Sequence, residues 1–131
     1  MIYLAAPYNH KLQLVRDLRA RACDIVAGWL MSGTGEVVFS PISHSHGINR
    51  HVDRKGDTAF WLKQDLWYLE RATSMRLLML PGVMASVGVA EELEFCVAKD
   101  IPVVNMEPEH TLVNHDEFQE IVRVLRAVRE I

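Results

Sequence analysis

The chain lacks most of what a metal, a membrane or a nucleic-acid backbone would require. Its only two cysteines, Cys23 and Cys96, fall in helical apolar patterns rather than at metal-ligand spacing. Each is expected to be a small buried hydrophobe, and the expected compartment is the cytoplasm, where thiols stay reduced. No apolar run is long enough to span a bilayer, so no membrane partner is expected. No basic segment followed by an apolar stretch and a cleavage site opens the sequence, so no secretory signal is expected. A net charge of −3, with acids and bases interspersed, argues against binding to polymeric nucleic acid. A small anionic substrate stays open, because local N–H groups and dipoles can outweigh a weak overall field. Internal repeats, low-complexity runs and domain boundaries are absent too. With 131 residues, half of them hydrophobic, the span 1–131 reads as a single domain around one core.

What is present is organised around Met75 to Val104. Leu77 to Leu80 reads as an apolar strand that breaks at Pro81-Gly82 and passes through Ser86 and Gly88. A helix carrying Glu91, Glu92 and Glu94 follows, and Pro102-Val103-Val104 is a second strand. This order is a βαβ unit with a right-handed crossover. Ligands gather in such units where the strand's carboxyl end meets the helix N-terminus, because free N–H groups and the helix dipole favour anions there.

The flanking chain supplies the rest of the sheet. Ile2 to Ala5 is a short buried strand, and Ala6 to His10 is the loop after it. Lys11 to about Ser32 is a helix with Leu12, Val15, Leu18, Ala22, Ile25, Val26 and Trp29 at apolar spacing. Arg16, Arg19 and Arg21 fall largely on its other side, and Gly33 and Gly35 end it. Glu36 to Phe39 is the second strand. Residues 40–56, with Pro41, Gly47 and Gly56, show no clear period and read as a long loop of the kind that is often functional. Thr58 to Ala72 is a helix facing inward with Trp61, Leu62, Leu66, Leu69 and Ala72. Asp116 caps a last helix with Phe118, Ile121, Val122, Leu125 and Val128 inside. The expected fold is α/β: a doubly wound, Rossmann-like or flavodoxin-like parallel sheet with helices on both faces. It should have four or five strands in the order 2-1-3-4, with Thr111 to Val113 as the fifth, edge strand.

Two carboxylates stand out by position. Val89, Leu93, Cys96 and Val97 form a helical stripe, and Glu92 sits at its edge while Glu91 and Glu94 point elsewhere. A half-buried Glu92 near the helix start, kept ionised by the dipole, could act as a nucleophile, although glutamates also favour early helical turns for stability alone. Asp65 lies on the buried face of its helix, three after Leu62 and four before Leu69. An Asp there needs a partner or a function. Two carboxylates from different helices near one pocket suggest a nucleophile and a proton handler. Tyr3 is a core tyrosine by position, or a hydroxyl bonded to a catalytic carboxylate. Ser86 is an N-cap that is also placed to meet a phosphate or a sugar hydroxyl.

Other polar and aromatic groups speak less clearly. His44, His46 and His51 are spaced poorly for a metal and lack a completing carboxylate or cysteine, so no metal is expected and substrate contact is favoured. Phe60, Trp61, Trp67 and Tyr68 are mostly core, with one of them free to stack on a base.

Three segments together resemble one enzyme superfamily. Ile2-Tyr3-Leu4-Ala5-Ala6-Pro7-Tyr8 is similar to the opening strand and loop of nucleoside 2-deoxyribosyltransferases and deoxynucleoside 5′-monophosphate N-glycosidases. Phe60 to Leu66, with Leu69 and Ala72, resembles their Asp-bearing helix. Ser86 to Glu94 resembles their loop and helix with a nucleophilic Glu. The resemblance covers about the first hundred residues, on motifs in the right order. The whole chain looks like a less characterised branch, marked by His44-Ser45-His46. The transferases usually carry Asp where this chain has Ser86, and the monophosphate hydrolases have a Gly-, Ser- and Arg-rich first loop in place of Pro7 to His10.

The resemblance implies cleavage or transfer of the N-glycosidic bond of a 2-deoxyribonucleoside or its 5′-monophosphate. Glu92 would be the nucleophile, Asp65 the acid or sugar-orienting group, and Tyr3 the hydroxyl that positions Glu92. Ala6, Tyr8, Asn9, His46, Ser86 and Gly88 would contact substrate. No cofactor is implied, and the partners would be a small nucleoside or nucleotide and further copies of the chain in a homodimer or larger assembly. Pro81-Gly82 with Ser86, Gly88 and Glu92 also resembles a degenerate Pro-Gly-Gly-x-Gly-Thr-x-x-Glu loop of nucleotide phosphoribohydrolases. A non-catalytic nucleotide-binding module is the remaining alternative.

Overall fold

The structure is a computed structural model that describes residues 1–53 and 57–128; Gly56 lies outside them. Four strands form one all-parallel sheet: β1 (Ile2–Ala5), β2 (Val38–Phe39), β3 (Ser74–Leu78) and β4 (Val103–Met106). Their order is β2-β1-β3-β4, as expected from the alternation of strands and helices. Among the described residues five α-helices accompany them: α1 (Gln13–Thr34), α2 (Pro41–Asn49), α3 (Thr58–Leu69), α4 (Val87–Lys99) and α5 (Asp116–Ala127).

The side-chain alternation of β1 builds both layers. Ile2 and Leu4 pack with Val15, Val26, Phe118 and Leu125 of α1 and α5. Tyr3 and Ala5 face the other way, toward Leu69, Val89 and Cys96 of α3 and α4. All four β1 residues are buried, as a central parallel strand covered on both faces requires.

Several boundaries and faces differ from the sequence reading. The third strand starts at Ser74 rather than at Leu77, because its register with β1 pairs Ile2 with Ser74 and Ala5 with Leu77. Residues 41–49 are a helix and not a loop. Ser40 caps it by accepting from the Ser43 N–H, and Pro41 occupies the first turn, where its missing N–H costs nothing. Its apolar pattern is too weak to show a period, so only the cap betrayed it. Thr111 to Val113 is no fifth strand: it runs through bends and a turn, with Leu112 at φ 50°. His115, not Asp116, caps α5, accepting the Phe118 N–H on Nδ1. Helix α1 runs through Gly33 and ends at Gly35, whose φ of 70° suits a residue without a Cβ.

The inward faces also need correction. Leu12, the N-cap of α1, is exposed, as are Trp29 on α1 and Val97 on α4. Phe60 and Trp67 are exposed as well, while Tyr68 stacks on Phe39 at 3.8 Å between ring centroids. Arg19 is buried, not on the outer side of α1. It stands four after Val15 and four before Cys23, in the middle of the buried stripe. Its guanidinium donates to the carbonyls of Tyr8, Asn9 and Pro81. Those carbonyls belong to the loops after β1 and β3, so Arg19 ties together the two loops that flank the point where strand order reverses.

Candidate active site

A cavity of about 300 Å³ opens beside that point. Its floor comes from Ala6 after β1 and from Ser86, Gly88, Val89 and Glu92 of α4 and its cap. One wall is Asp57, Thr58, Trp61, Leu62 and Asp65 at the start and inner face of α3. The other is Tyr8 and Asn9 of the first loop with Ile42, Ser45, His46 and Asn49 of α2. The first two turns of the inner face of α3 thus line a cavity while Leu66 and Leu69 pack in the core, which is why the face carries an Asp among apolar residues. Two bonds join α3 to α2 across the cavity rim: Trp61 Nε1 to Asn49 Oδ1 at 3.1 Å and Gln64 Nε2 to Ser45 Oγ at 3.3 Å.

Glu92 is the centre of the site. Its residue is 6% exposed, so it is buried rather than half-buried, and α4 presents Val89, Glu92 and Cys96 as its buried stripe. Tyr3, fully buried on β1, donates its hydroxyl to Glu92 Oε2 in a hydrogen bond. The phenol is thereby satisfied in the core. Glu92 also lines the cavity, so the carboxyl that Tyr3 holds borders it. Glu91 and Glu94 are exposed, on the far side of the same helix.

The protonation of Glu92 differs from the sequence reading. Burial pushes its carboxyl up to about 8, the Tyr3 hydroxyl pulls it down by less, and the nearby Asp65 charge adds a further rise. Burial therefore favours the protonated form of Glu92 over the ionised one at neutral pH. The helix dipole does not prevent this, because Glu92 lies beyond the first turn, where the dipole's effect has faded. Asp65 is pushed up to about 6 by burial, against a smaller pull from the Gln64 amide. Its Oδ1 is buried and without a hydrogen-bond partner. Tyr3 is itself raised well above its ordinary value, by burial first and then by Glu92 and Asp65.

Of the residues singled out in the sequence, Asp65, Glu92, Ala6, Tyr8, Asn9, His46, Ser86 and Gly88 all line this cavity, and Tyr3 stands directly behind Glu92. Ser86 caps α4 by accepting the Val89 N–H on Oγ at 3.2 Å. Among the three loop histidines only His46 reaches the cavity; His44 and His51 are exposed. Among the described residues no group of three or more His, Cys, Asp or Glu could hold a metal ion. The described residues also include no helix long and apolar enough to cross a membrane. Three participants escaped the sequence reading. Arg19 was legible from its spacing in the α1 stripe, whereas Asp17 and Asn49 gain meaning only from partners on other segments.

The family described as "Domain of unknown function (DUF1937)" matches residues 1–108, which include every residue of the cavity. No curated protein matches the chain.

Proposed function

The chain belongs to the DUF1937 family, whose description carries no activity, and we propose from the site itself that it cleaves or transfers the N-glycosidic bond of a 2-deoxyribonucleoside or its 5′-monophosphate. The observation that carries this reading is the Tyr3–Glu92 hydrogen bond. A buried phenol holds the carboxyl of a glutamate that lines a small-molecule cavity. That is how a carboxylate is aimed at a single carbon atom. Asp65 supplies a second carboxyl with an unpartnered buried oxygen, an arrangement that costs on the order of 1–3 kcal/mol until a donor arrives. A sugar hydroxyl is such a donor. Ser86 at the α4 N-terminus and Trp61 in the wall suit the polar and flat parts of a nucleoside or nucleotide.

In this reading ionised Glu92 attacks the anomeric carbon, the base leaves with the bonding electron pair, and a glycosyl ester forms on Glu92. Water or a second base then attacks the same carbon and frees the carboxylate. This is the two-step chemistry that the resemblance to nucleoside 2-deoxyribosyltransferases and monophosphate N-glycosidases implies. It needs no cofactor.

The test is base release from deoxyribo- and ribonucleosides and their 5′-monophosphates, with and without an acceptor base. Glu92→Gln should lower turnover by on the order of 10³ or more, since an amide cannot form the ester. Mass spectrometry of protein quenched during turnover should find the sugar on Glu92. Wild-type turnover by Glu92→Gln would sink the nucleophile assignment. Binding of a nucleotide without cleavage of any panel member would make the protein a binding module instead.

A further inference from the structure

Three side chains outside the Tyr3–Asp65–Glu92 group stand in a line. The Tyr8 hydroxyl is 2.7 Å from His46 Nδ1. His46 Nε2 is 3.0 Å from Asp17 Oδ1. They come from three separate segments: the loop after β1, helix α2 and helix α1. Tyr8 and His46 line the cavity that contains Glu92, whereas Asp17 lies outside it, in an adjoining groove with Arg16 and Arg50. Asp17 is itself held, since Gln13 Nε2 donates to its Oδ1 at 2.7 Å. The Tyr8 and His46 rings meet edge to face at 5.6 Å between centroids, so the contact is packed as well as bonded.

This order of groups has a definite proton chemistry. A carboxylate at Nε2 fixes that nitrogen as an N–H and leaves Nδ1 as the one that exchanges a proton with the hydroxyl. A tyrosine alone is a poor acid at neutral pH, with an ordinary pKa of about 10. Burial raises Tyr8 further; Arg16 pulls it down, Asp17 pushes it up and Arg50 pulls it down, each by less than the one before. Tyr8 can give up its proton cheaply only if another arrives as it leaves, and His46 is placed to supply it.

On the N-glycosidic reading above, we propose that Tyr8, His46 and Asp17 form the relay that protonates the departing base. Tyr8 is the group that touches the base, His46 stores the proton, and Asp17 is a positioning residue. In the first step the C1′–N bond breaks and its electron pair stays on the base nitrogen. That nitrogen takes the Tyr8 hydroxyl proton while imidazolium Nδ1–H passes its proton to the Tyr8 oxygen. Glu92 forms the new bond to C1′. In the second step water attacks C1′ and its proton goes to the Tyr8 oxygen. The Tyr8 proton returns to Nδ1, and the Glu92 carboxylate leaves. Protons balance over the cycle, and Asp65 remains for the sugar.

The test pairs deoxynucleosides whose bases need a proton to leave with alkylated forms whose bases depart neutral without one. 2′-Deoxyguanosine is paired with its 7-methyl cation, and 2′-deoxycytidine with its 3-methyl cation. Tyr8→Phe keeps the ring packing and loses only the hydroxyl. Tyr8→Phe and His46→Gln should lose on the order of 10²–10⁴ in kcat/KM on the parent nucleosides but less than about 10-fold on the alkylated ones. Asp17→Asn should show the same selectivity with a smaller loss. Equal losses on both members of a pair, or no loss on either, overturn the relay while N-glycosidic cleavage stands. A wild-type protein that cleaves neither form of either pair, nor any nucleoside or nucleotide of the wider panel, overturns the cleavage reading and the relay with it.

Discussion

Glu92 carries two opposed demands. Burial gives it a fixed aim and a dry setting, and the same burial raises its pKa to about 8. A nucleophile must be ionised, so on 7-methyl-2′-deoxyguanosine, whose base needs no proton to leave, kcat/KM should rise with pH through that region as Glu92 loses its proton. The neighbours tune the limb in opposite directions. The Asp65 charge raises the Glu92 pKa, so Asp65→Asn should move the rising limb to lower pH even as it lowers the maximum rate. The Tyr3 hydroxyl lowers the same pKa, so Tyr3→Phe should move the limb to higher pH, with a milder loss of rate because one hydrogen bond disappears. pH–rate profiles of the two variants check this, and shifts in the same direction would contradict it. Glu91→Gln and Glu94→Gln, exposed on the far face of α4, should leave the profile unchanged.

At the scale of elements, two contacts hold the site's loops. Ser86 caps α4 while lining the cavity, so Ser86→Ala should cost about 1 kcal/mol of stability through the lost Val89 N–H bond. Arg19 is the stronger tie. It spans the Tyr8, Asn9 and Pro81 carbonyls from inside α1, with a lowered pKa caused by burial. Arg19→Met keeps the aliphatic stem and removes every donor. Urea denaturation should show a loss on the order of 2–4 kcal/mol. Arg19→Lys should recover only part, because an ammonium cannot reproduce the planar fork. Full stability in Arg19→Met would mean that the loops hold without it.

At the scale of the whole molecule, the buried acids make stability depend on pH with an unusual sign. The Glu92 carboxyl sits at about 8 in the folded chain against an ordinary 4.5, so folding favours its protonated form. Its contribution is most favourable below the unfolded value and is lost as pH rises from there through about 8. That loss is on the order of 5 kcal/mol from this group. Asp65 adds a smaller loss in the same direction, complete just above about 6. Glu92→Gln should therefore have a higher Tm than wild type near pH 8 and little advantage near pH 4.5, a gain in stability where activity is lost. Thermal unfolding across that range checks it, and a destabilised Glu92→Gln at pH 8 would refute the sign. The resemblance also leads us to propose a homodimer or larger assembly, which equilibrium sedimentation at micromolar concentration would reveal.

Local regularities were legible in the sequence. Alternation of apolar strands with periodic helices was enough for the parallel sheet and its 2-1-3-4 order, because both follow from short-range pattern and chain connectivity. Helical spacing put Asp65 and Glu92 on inward faces, and the cavity lies where the strand order reverses. Helix α2 was hidden because its apolar pattern is weak, although Ser40-Pro41 announced its start. The buried Arg19 was hidden by its own polarity, since a hydropathy pattern discounts an arginine whose donors find carbonyls on distant loops. The protonation of Glu92 and the Asp17–His46–Tyr8 line were decided by tertiary structure alone. Desolvation and hydrogen bonding depend on which distant segments close over a side chain, and no spacing along one helix carries that information.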